Sequence, residues 1–321
     1  MNLLTLLISA LSQGMIYAPM ALGVFVAFRI LKTPDLTIDG SFVAGMCTCA
    51  VVTIAGYPYL GILCGMAAGT LAGLVTGLQQ TRLGINPLLS GILTMTGLYT
   101  VNFMLLGGQS NLYLQHTEIN SAGAETQVAS ETLYKAFRSL MAGITGDRKF
   151  DSNLSALIIT ALILAVTAAA LAVFFRTRTG IAIRATGDNE EMVRSSSINA
   201  DRSRVIGIML SNALVALSGA LLCEQQRYAD LNFGSGMLVV GLASVIIGQV
   251  FFGHRGVTLG IVSAIAGSLV YRMILQFAYK VEMPSYAVKL LSAVIVVIAL
   301  TIPRIRRKLA ERRAEREEEA A

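Results

Sequence analysis

The chain has no tryptophan, two histidines and four cysteines in 321 residues. Only 14% of its residues are charged, against about a quarter in an ordinary soluble domain. Each shortage excludes something. With only His116 and His254, and no H-E-x-x-H run, there is no signature of a metal enzyme. Cys47, Cys49, Cys64 and Cys223 all lie inside apolar runs, so they read as small packing residues rather than a disulfide or metal framework. No lysine follows a glycine anywhere, which removes the G-x-x-x-x-G-K phosphate loop and ATP hydrolysis by that route. A G-x-S-x-G nucleophile turn is absent too. The scarcity of charge itself excludes a soluble enzyme, a disordered protein and a secreted disulfide scaffold, because none could cover its surface with so little polar area.

What is present is apolar. Hydrophobic residues make up 55% of the chain, enough for eight or nine spans of about 20 residues each. Apolar segments run at about 3–28, 40–54, 59–78, 87–106, 154–175, 204–223, 236–253, 257–279 and 286–302. The expected fold is therefore all-α: a polytopic membrane helix bundle of about 8–9 spans. The first segment has no basic flank and is too long for a signal peptide. Segments 40–54 and 236–253 are short and follow Gly- and Asp-containing stretches, so they are candidate broken or re-entrant helices. Irregular backbone at membrane depth survives only against protein or a water-filled cavity.

Lys plus Arg exceeds Asp plus Glu, 25 to 19. Basic loops retained on the cytoplasmic side explain the excess, so nucleic acid is not an expected partner. Segment 176–204 and the tail 304–321 are rich in arginine and should be cytoplasmic; that puts 107–153 and the N-terminus outside. Residues 1–303 form the membrane domain on this reading. With no Trp, interfacial aromatic anchors fall to Tyr57, Tyr59, Tyr99, Tyr113, Tyr279 and Tyr286. In the outer loop, Leu133, Tyr134, Phe137, Leu140 and Met141 recur at helical spacing, predicting a short surface helix.

Gly61, Gly65, Gly69, Gly73 and Gly77 stand every fourth residue, and Gly256, Gly260, Ala264 and Ser268 repeat the ladder. Small residues at that spacing let helix backbones approach closely in lipid. The link Thr33-Pro34-Asp35-Leu36-Thr37-Ile38-Asp39-Gly40-Ser41 carries two carboxylates between apolar runs. Asp39 or Ser41 is placed to cap a helix starting near Phe42. Carboxylates here are costly unless they pair or face water, which makes Thr33, Asp35, Thr37, Asp39 and Ser41 candidate solute-pathway residues. A second stretch resembles it: PDLTIDGSF around Asp35, ADLNFGSGM around Asp230, with Ala-Leu pairs fourteen residues before each Asp. The offset is 195, and the two copies would run in opposite directions, as in an inverted repeat. Asn232 and Ser235 are the second copy's candidates.

The segment RTRTGIAIRATGDNEEMVRSSSINADRSRVIG is the most informative. Asp188 followed by Glu191 has the spacing of a capping box, predicting a short helix from Asn189 to about Ser196. Asn199 or Asp201 is placed to cap the next span. A capped, charged helix between two spans suggests a docking element.

The run TGIAIRATGDNEEMVRSSSIN followed by SNALVALSGALL resembles the permease family of bacterial ATP-binding-cassette importers for branched-chain amino acids, ribose and related solutes. Thr179, Gly180, Ala182, Arg184, Ala185, Gly187 and Asn189 match its pattern, with Ser197-Ile198-Asn199 where Gly-Ile-Asn is usual. RILKTPDLTIDGSF resembles one subgroup, linked to aromatic or other hydrophobic amino acids. The resemblance covers most of the chain outside 107–153. It implies an inner-membrane permease without its own ATPase site or cofactor, with ATP and Mg on a partner. The implied partners are a second copy or a homologous permease, an ATPase dimer and an external solute-binding protein. Arg184, Gly187, Asp188, Asn189, Glu190, Glu191 and Arg194 would meet the ATPase. An ion-coupled secondary transporter using Asp35 and Asp39 stays open, as does a sugar or nucleoside cargo.

Overall fold

The computed structural model describes residues 3–119, 125–135, 148–253 and 256–280, with scattered positions from 290 to 301. Helix α1 (Leu3–Phe25) runs into a π turn (Val26–Ile30). Then come α2 (Thr37–Ile54), α3 (Pro58–Thr81), α4 (Pro87–Leu105) and three short strands, β1 (Asn111–Tyr113), β2 (Gln115–Ile119) and β3 (Glu125–Ala129). The second part holds α5 (Arg148–Phe174), α6 (Arg178–Asp188), α7 (Glu190–Ser195), α8 (Ala200–Gln226), β4 (Tyr228–Asp230), a 3-10 turn (Leu231–Gly234), α9 (Met237–Phe252) and α10 (Val257–Lys280). Among the described residues, 8 helices are long and apolar enough to cross a membrane, in the order the apolar segments predict. Segment 286–302, but for isolated helical positions, and the tail 304–321 lie outside the described residues.

Local chemistry sets the boundaries. Pro58 and Pro87 open α3 and α4 at the first helical position, where the missing N–H costs nothing. Asn86, Thr177 and Asn199 cap α4, α6 and α8 with their side-chain oxygens. Two expectations are corrected. Helix α2 begins at Thr37 and takes Asp39 and Ser41 inside it; the group at its start is Asp35, which accepts the Thr37 N–H at 2.9 Å. Asp188 does not cap α7, because α6 continues through it; Asn189 does, accepting the Met192 N–H at 3.0 Å. Ahead of the expected surface helix, segment 107–153 carries strands that the sequence reading did not foresee, β1 pairing with β4 and β2 with β3. Leu133–Lys135 form one helical turn, while Phe137, Leu140 and Met141 lie outside the described residues.

The loops sort to two ends. At one, Lys32 pairs with Asp188 and the backbone of Gly187 lies against Ile30. At the other, β1 pairs with β4, and Leu133 donates its N–H to Glu224 at the end of α8. The center is α1, α2 and α8, whose apolar windows are 78%, 72% and 78% buried; α4 and α5 are 22% buried and lie outermost.

The glycine ladder of α3 packs inside the same chain, on α2 at Gly61 and Gly65 and on α8 from Gly65 to Gly77. A Cβ at Gly69 would stand 2.3 Å from the Cβ of Ala216, and one at Gly73 would stand 2.7 Å from the Ile208 oxygen. Such contact takes the place of the hydrophobic drive, which lipid does not supply between helices.

Contacts also obey the 195-residue offset. Asp35 accepts the Thr37 N–H, and Asp230 accepts the Asn232 N–H. Ser211 donates to the Gly23 oxygen and Ser218 to the Ile16 oxygen, so shifting either pair by 195 with partners exchanged yields the other. Gly65 lies against Ala220, and Gly260 against Phe25. Gly73 lies against Met209; Ser268 donates to the Gly14 oxygen. Helix α1 crosses α8 antiparallel, and each packs on the other half's helix pair. The candidate inverted repeat is thus a contact symmetry of the folded chain.

Candidate solute pathway and coupling face

The predicted pathway residues fall into two groups. Thr33, Asp35, Thr37 and Ser41 are buried and have partners inside the protein; Thr33 donates to the Leu31 oxygen at 3.2 Å. Asp35 accepts the Asn212 amide N–H at 2.7 Å, Ser41 donates to the Asn212 carbonyl at 2.7 Å, and Thr37 shares a hydrogen bond with Thr76 at 2.7 Å. Burial pushes the Asp35 carboxyl above the usual carboxylate range, against the pull of hydrogen bonds from Thr37 and Asn212. This network ties α2, α3 and α8 together. No open channel wall is formed by these four in the structure.

Asp39, Asn232 and Ser235 form the second group. Asn232 and Ser235 are exposed and Asp39 is half-buried. Asp39 reaches out of α2 to the start of α9, where its carboxylate accepts the N–H groups of Leu238 at 2.7 Å and Gly236 at 3.2 Å. A helix N-terminus leaves its first N–H groups without partners and carries a partial positive charge; Asp39 meets both needs. Gly236 has a φ of 85°, the left-handed region that glycine enters without strain. The expected break ahead of 236–253 is therefore real: strand, 3-10 turn and left-handed glycine precede α9. Polar side chains and irregular backbone share this place.

The residues expected to meet an ATPase lie at the opposite end of the chain's helices from β1 and β4. Helix α7 shows Met192 with 59% of its surface exposed, and it is braced from below. Glu190 pairs with Arg194 and Arg204, and Arg194 also with Asp201. Asp188 pairs with Lys32 at 2.8 Å. Arg184 lies beside Arg29, Asp188 and Gln249 around a cavity of about 280 Å³, and Arg29 bonds Gln249. Neither Arg29 nor Lys32 pairs with Asp35 or Asp39. Gly187 is required where it stands, because a Cβ there would fall 1.8 Å from the Ile30 oxygen. From the end of α6, next to α7, the connection to the candidate pathway residues is short: Gly187 on Ile30 and Leu31, Asp188 on Lys32, the link 31–36 on α2, and Asp39 of α2 on α9.

Two further charged residues of this helix bundle escaped the sequence reading. Glu224 is fully buried and joins Thr53, Cys49 and Leu133. Arg272 lies over the Tyr17 ring, 3.3 Å from its centroid. A lone charge inside the apolar run 257–279 was the available signal for Arg272. Among the described residues no group of His, Cys, Asp and Glu is arranged to hold a metal ion.

Known proteins resemble this chain along nearly its whole length. A tyrosine transport system permease protein of Clostridioides difficile is 32% identical over 295 residues, 92% of this chain and 90% of that protein. The ribose import permease of Escherichia coli K12 is 23% identical over 92% of this chain and 84% of that protein. A solved inward-facing putative metal-chelate type ABC transporter covers 94% of this chain and 85% of its own, with 15% identity and a TM-score of 0.49. Residues 6–300 match the model of a family described as the permease component of the branched-chain amino acid transport system. The chain belongs to that family, as a multi-pass permease of an ABC transporter and not its ATPase.

Proposed function

We propose that this permease carries an amino acid, aromatic or otherwise hydrophobic, across a bacterial inner membrane. The observation that carries the reading is the break before α9, where Asp39, Asn232 and Ser235 present polar groups beside irregular backbone. Such a segment belongs against a water-filled cavity or protein. A second copy facing this break supplies the other wall. The likeness to a tyrosine permease favors an aromatic cargo over a sugar. The chain binds no cofactor; ATP and Mg²⁺ belong to an ATPase dimer seated on Arg184, Gly187, Asp188, Asn189, Glu190, Glu191 and Arg194. An external binding protein delivers the solute to the face of residues 107–153. The N-terminus lies outside and the C-terminus inside, which places the arginine-rich segment 176–204 in the cytoplasm.

Mechanically, ATP binding closes the ATPase pair and moves α7. The Lys32–Asp188 pair and the Gly187–Ile30 contact hand that motion to the link 31–36. Helix α2 then shifts, and with it Asp39, which holds the start of α9. The pathway reopens on the other side.

The test is uptake into proteoliposomes with the ATPase and binding protein present. ATP-dependent uptake of tyrosine or phenylalanine is expected. No ATP-dependent uptake of any amino acid would sink the substrate assignment. Uptake by the chain alone, driven by an ion gradient, would favor a secondary transporter instead.

A further inference from the structure

We propose that Arg272 anchors the carboxylate of an α-amino acid at the β1–β4 end of the pathway, with the neighboring rings selecting an aromatic side chain. This rests on the amino-acid importer reading above and adds a solute contact made by the permease itself.

Arg272 is the one charged residue between Val257 and Tyr279 in α10. A guanidinium in an apolar span is costly unless it meets an anion or water. Arg272 is half-buried, and its Nε is buried with no hydrogen-bond partner. Among the described residues no carboxylate pairs with it. Its partner is the Tyr17 ring, with Cζ 3.3 Å from the centroid. At that distance the guanidinium lies on the ring face. A ring face attracts the cation, but the in-plane N–H edge of a stacked guanidinium still points past the ring. That edge is the part that takes a carboxylate in a two-pronged hydrogen bond. The protein holds the fork in place and leaves its acceptor to be supplied.

The surroundings fit the rest of the molecule. Tyr17 stacks on Phe42 with centroids 6.1 Å apart and planes 17° apart. One helical turn beyond Phe42, the sulfur of Met46 accepts the Asp230 N–H at 3.5 Å. Asp230 thus sits over the same face of α2, at the head of the irregular segment. Beside it, Tyr228 lies 5.8 Å from both Tyr113 and Phe233. Burial pushes the Tyr228 hydroxyl up, and Asp230, Tyr113 and Tyr17 add to the shift. One oxygen of Asp230, Oδ1, serves Asn232, which leaves Oδ2 for an ammonium. A cation, a carboxylate and aromatic faces together complement a zwitterion with an aromatic side chain.

The experiment is direct binding to the purified full chain in detergent. L-tyrosine is compared with tyramine, which lacks the carboxylate, and with 4-hydroxyphenylpropanoate, which lacks the ammonium. Tyrosine is expected to bind at least about tenfold tighter than tyramine, the size of a charged hydrogen bond. R272Q should abolish that ratio, and R272K should restore part of it. Equal binding of tyrosine and tyramine, no tyrosine binding, or an unchanged ratio in R272Q overturns the proposal. Loss of co-purified phosphatidylglycerol in R272Q with tyrosine binding intact also overturns it and assigns the cation to lipid. Uptake in the full assembly separates the two claims. Equal ATP-driven tyrosine uptake by wild type and R272Q removes Arg272 while the importer stands; no amino-acid uptake by wild type removes the importer reading itself.

Discussion

Glu224, at the end of α8, accepts the backbone N–H of Leu133 at 2.8 Å with one carboxylate oxygen and the Thr53 hydroxyl with the other. A fully buried carboxylate therefore fastens the outer segment to α2 and α8. Glu224→Ala leaves a buried N–H and a buried hydroxyl without acceptors, each costing about 1–3 kcal/mol. The expected result is a lower Tm and faster limited proteolysis near residues 130–135. Glu224→Gln keeps an acceptor oxygen and should lose less.

Asp35 and Asn212 form a directional pair, because the amide N–H donates to the carboxylate. Asp35→Asn sets one amide against another and should cost about 1–3 kcal/mol. Adding Asn212→Asp reverses donor and acceptor while preserving roles for the Ser41 hydroxyl and the Thr37 N–H. Thermal unfolding should show the double variant recovering part of the loss, since the Asn212 N–H to the Ile208 oxygen is not replaced; additive losses would contradict the network.

Two glycines in helices should respond in opposite directions. Gly69→Ala places a methyl 2.3 Å from Ala216 and 2.4 Å from the Asn212 oxygen, so the α3–α8 contact must open at a cost of about 1–3 kcal/mol. Nothing lies within 4 Å of a Cβ at Gly97. There alanine should raise stability by up to about 1 kcal/mol through helix propensity. Paired thermal-shift measurements decide.

Ser197 has a φ of 60°, in the left-handed region that costs an L-residue about 1–2 kcal/mol. It stands where the resembling family carries glycine. Ser197→Gly should therefore stabilize the turn between α7 and α8, seen as a higher Tm with ATPase association unchanged.

Met192 is the apolar residue that α7 leaves bare between its braced ion pairs. Met192→Asp should reduce ATPase co-purification at least about tenfold with little change in Tm, since an exposed position bears little on folding. Breaking Lys32–Asp188 with Lys32→Ala should behave differently. The pair is exposed and worth at most about 1 kcal/mol, so docking should survive while coupling of ATP hydrolysis to uptake falls.

The parts of this molecule that repeat at short spacing were legible in its sequence. A glycine every fourth residue puts small groups on one helix face, and that face is the one α3 turns to α2 and α8. Caps such as Asn199 read locally because donor and acceptor lie three residues apart. The break before α9 was visible as Gly- and Asp-rich sequence ahead of a short apolar run. Long-range partners were not visible. Asp188 looked like a cap, since nothing local reveals Lys32, 156 residues away. Asp39 likewise looked like a cap of its own helix and instead caps a helix 199 residues on. Helix α6 was missed because RTGIAIRATGD is polar enough to pass for a loop. Glu224 gives no local signal, because Thr53 and Leu133, which it joins, lie 171 and 91 residues away.

The exchange of helices between the two halves has a consequence for biosynthesis. Helix α1 is made first, yet apart from α5 the surfaces that bury it belong to α8, α9 and α10, roughly 190 to 250 residues later. At a synthesis rate of about 5–20 residues per second, α1 waits on the order of ten seconds to a minute for its neighbors. During that time its glycines and the backbone oxygens of Ile16 and Gly23, which later receive Ser218 and Ser211, face lipid or the insertion machinery. A chain truncated before residue 200 would hold its most interior helix without its α8, α9 and α10 packing, and such a fragment should be cleared rather than accumulate.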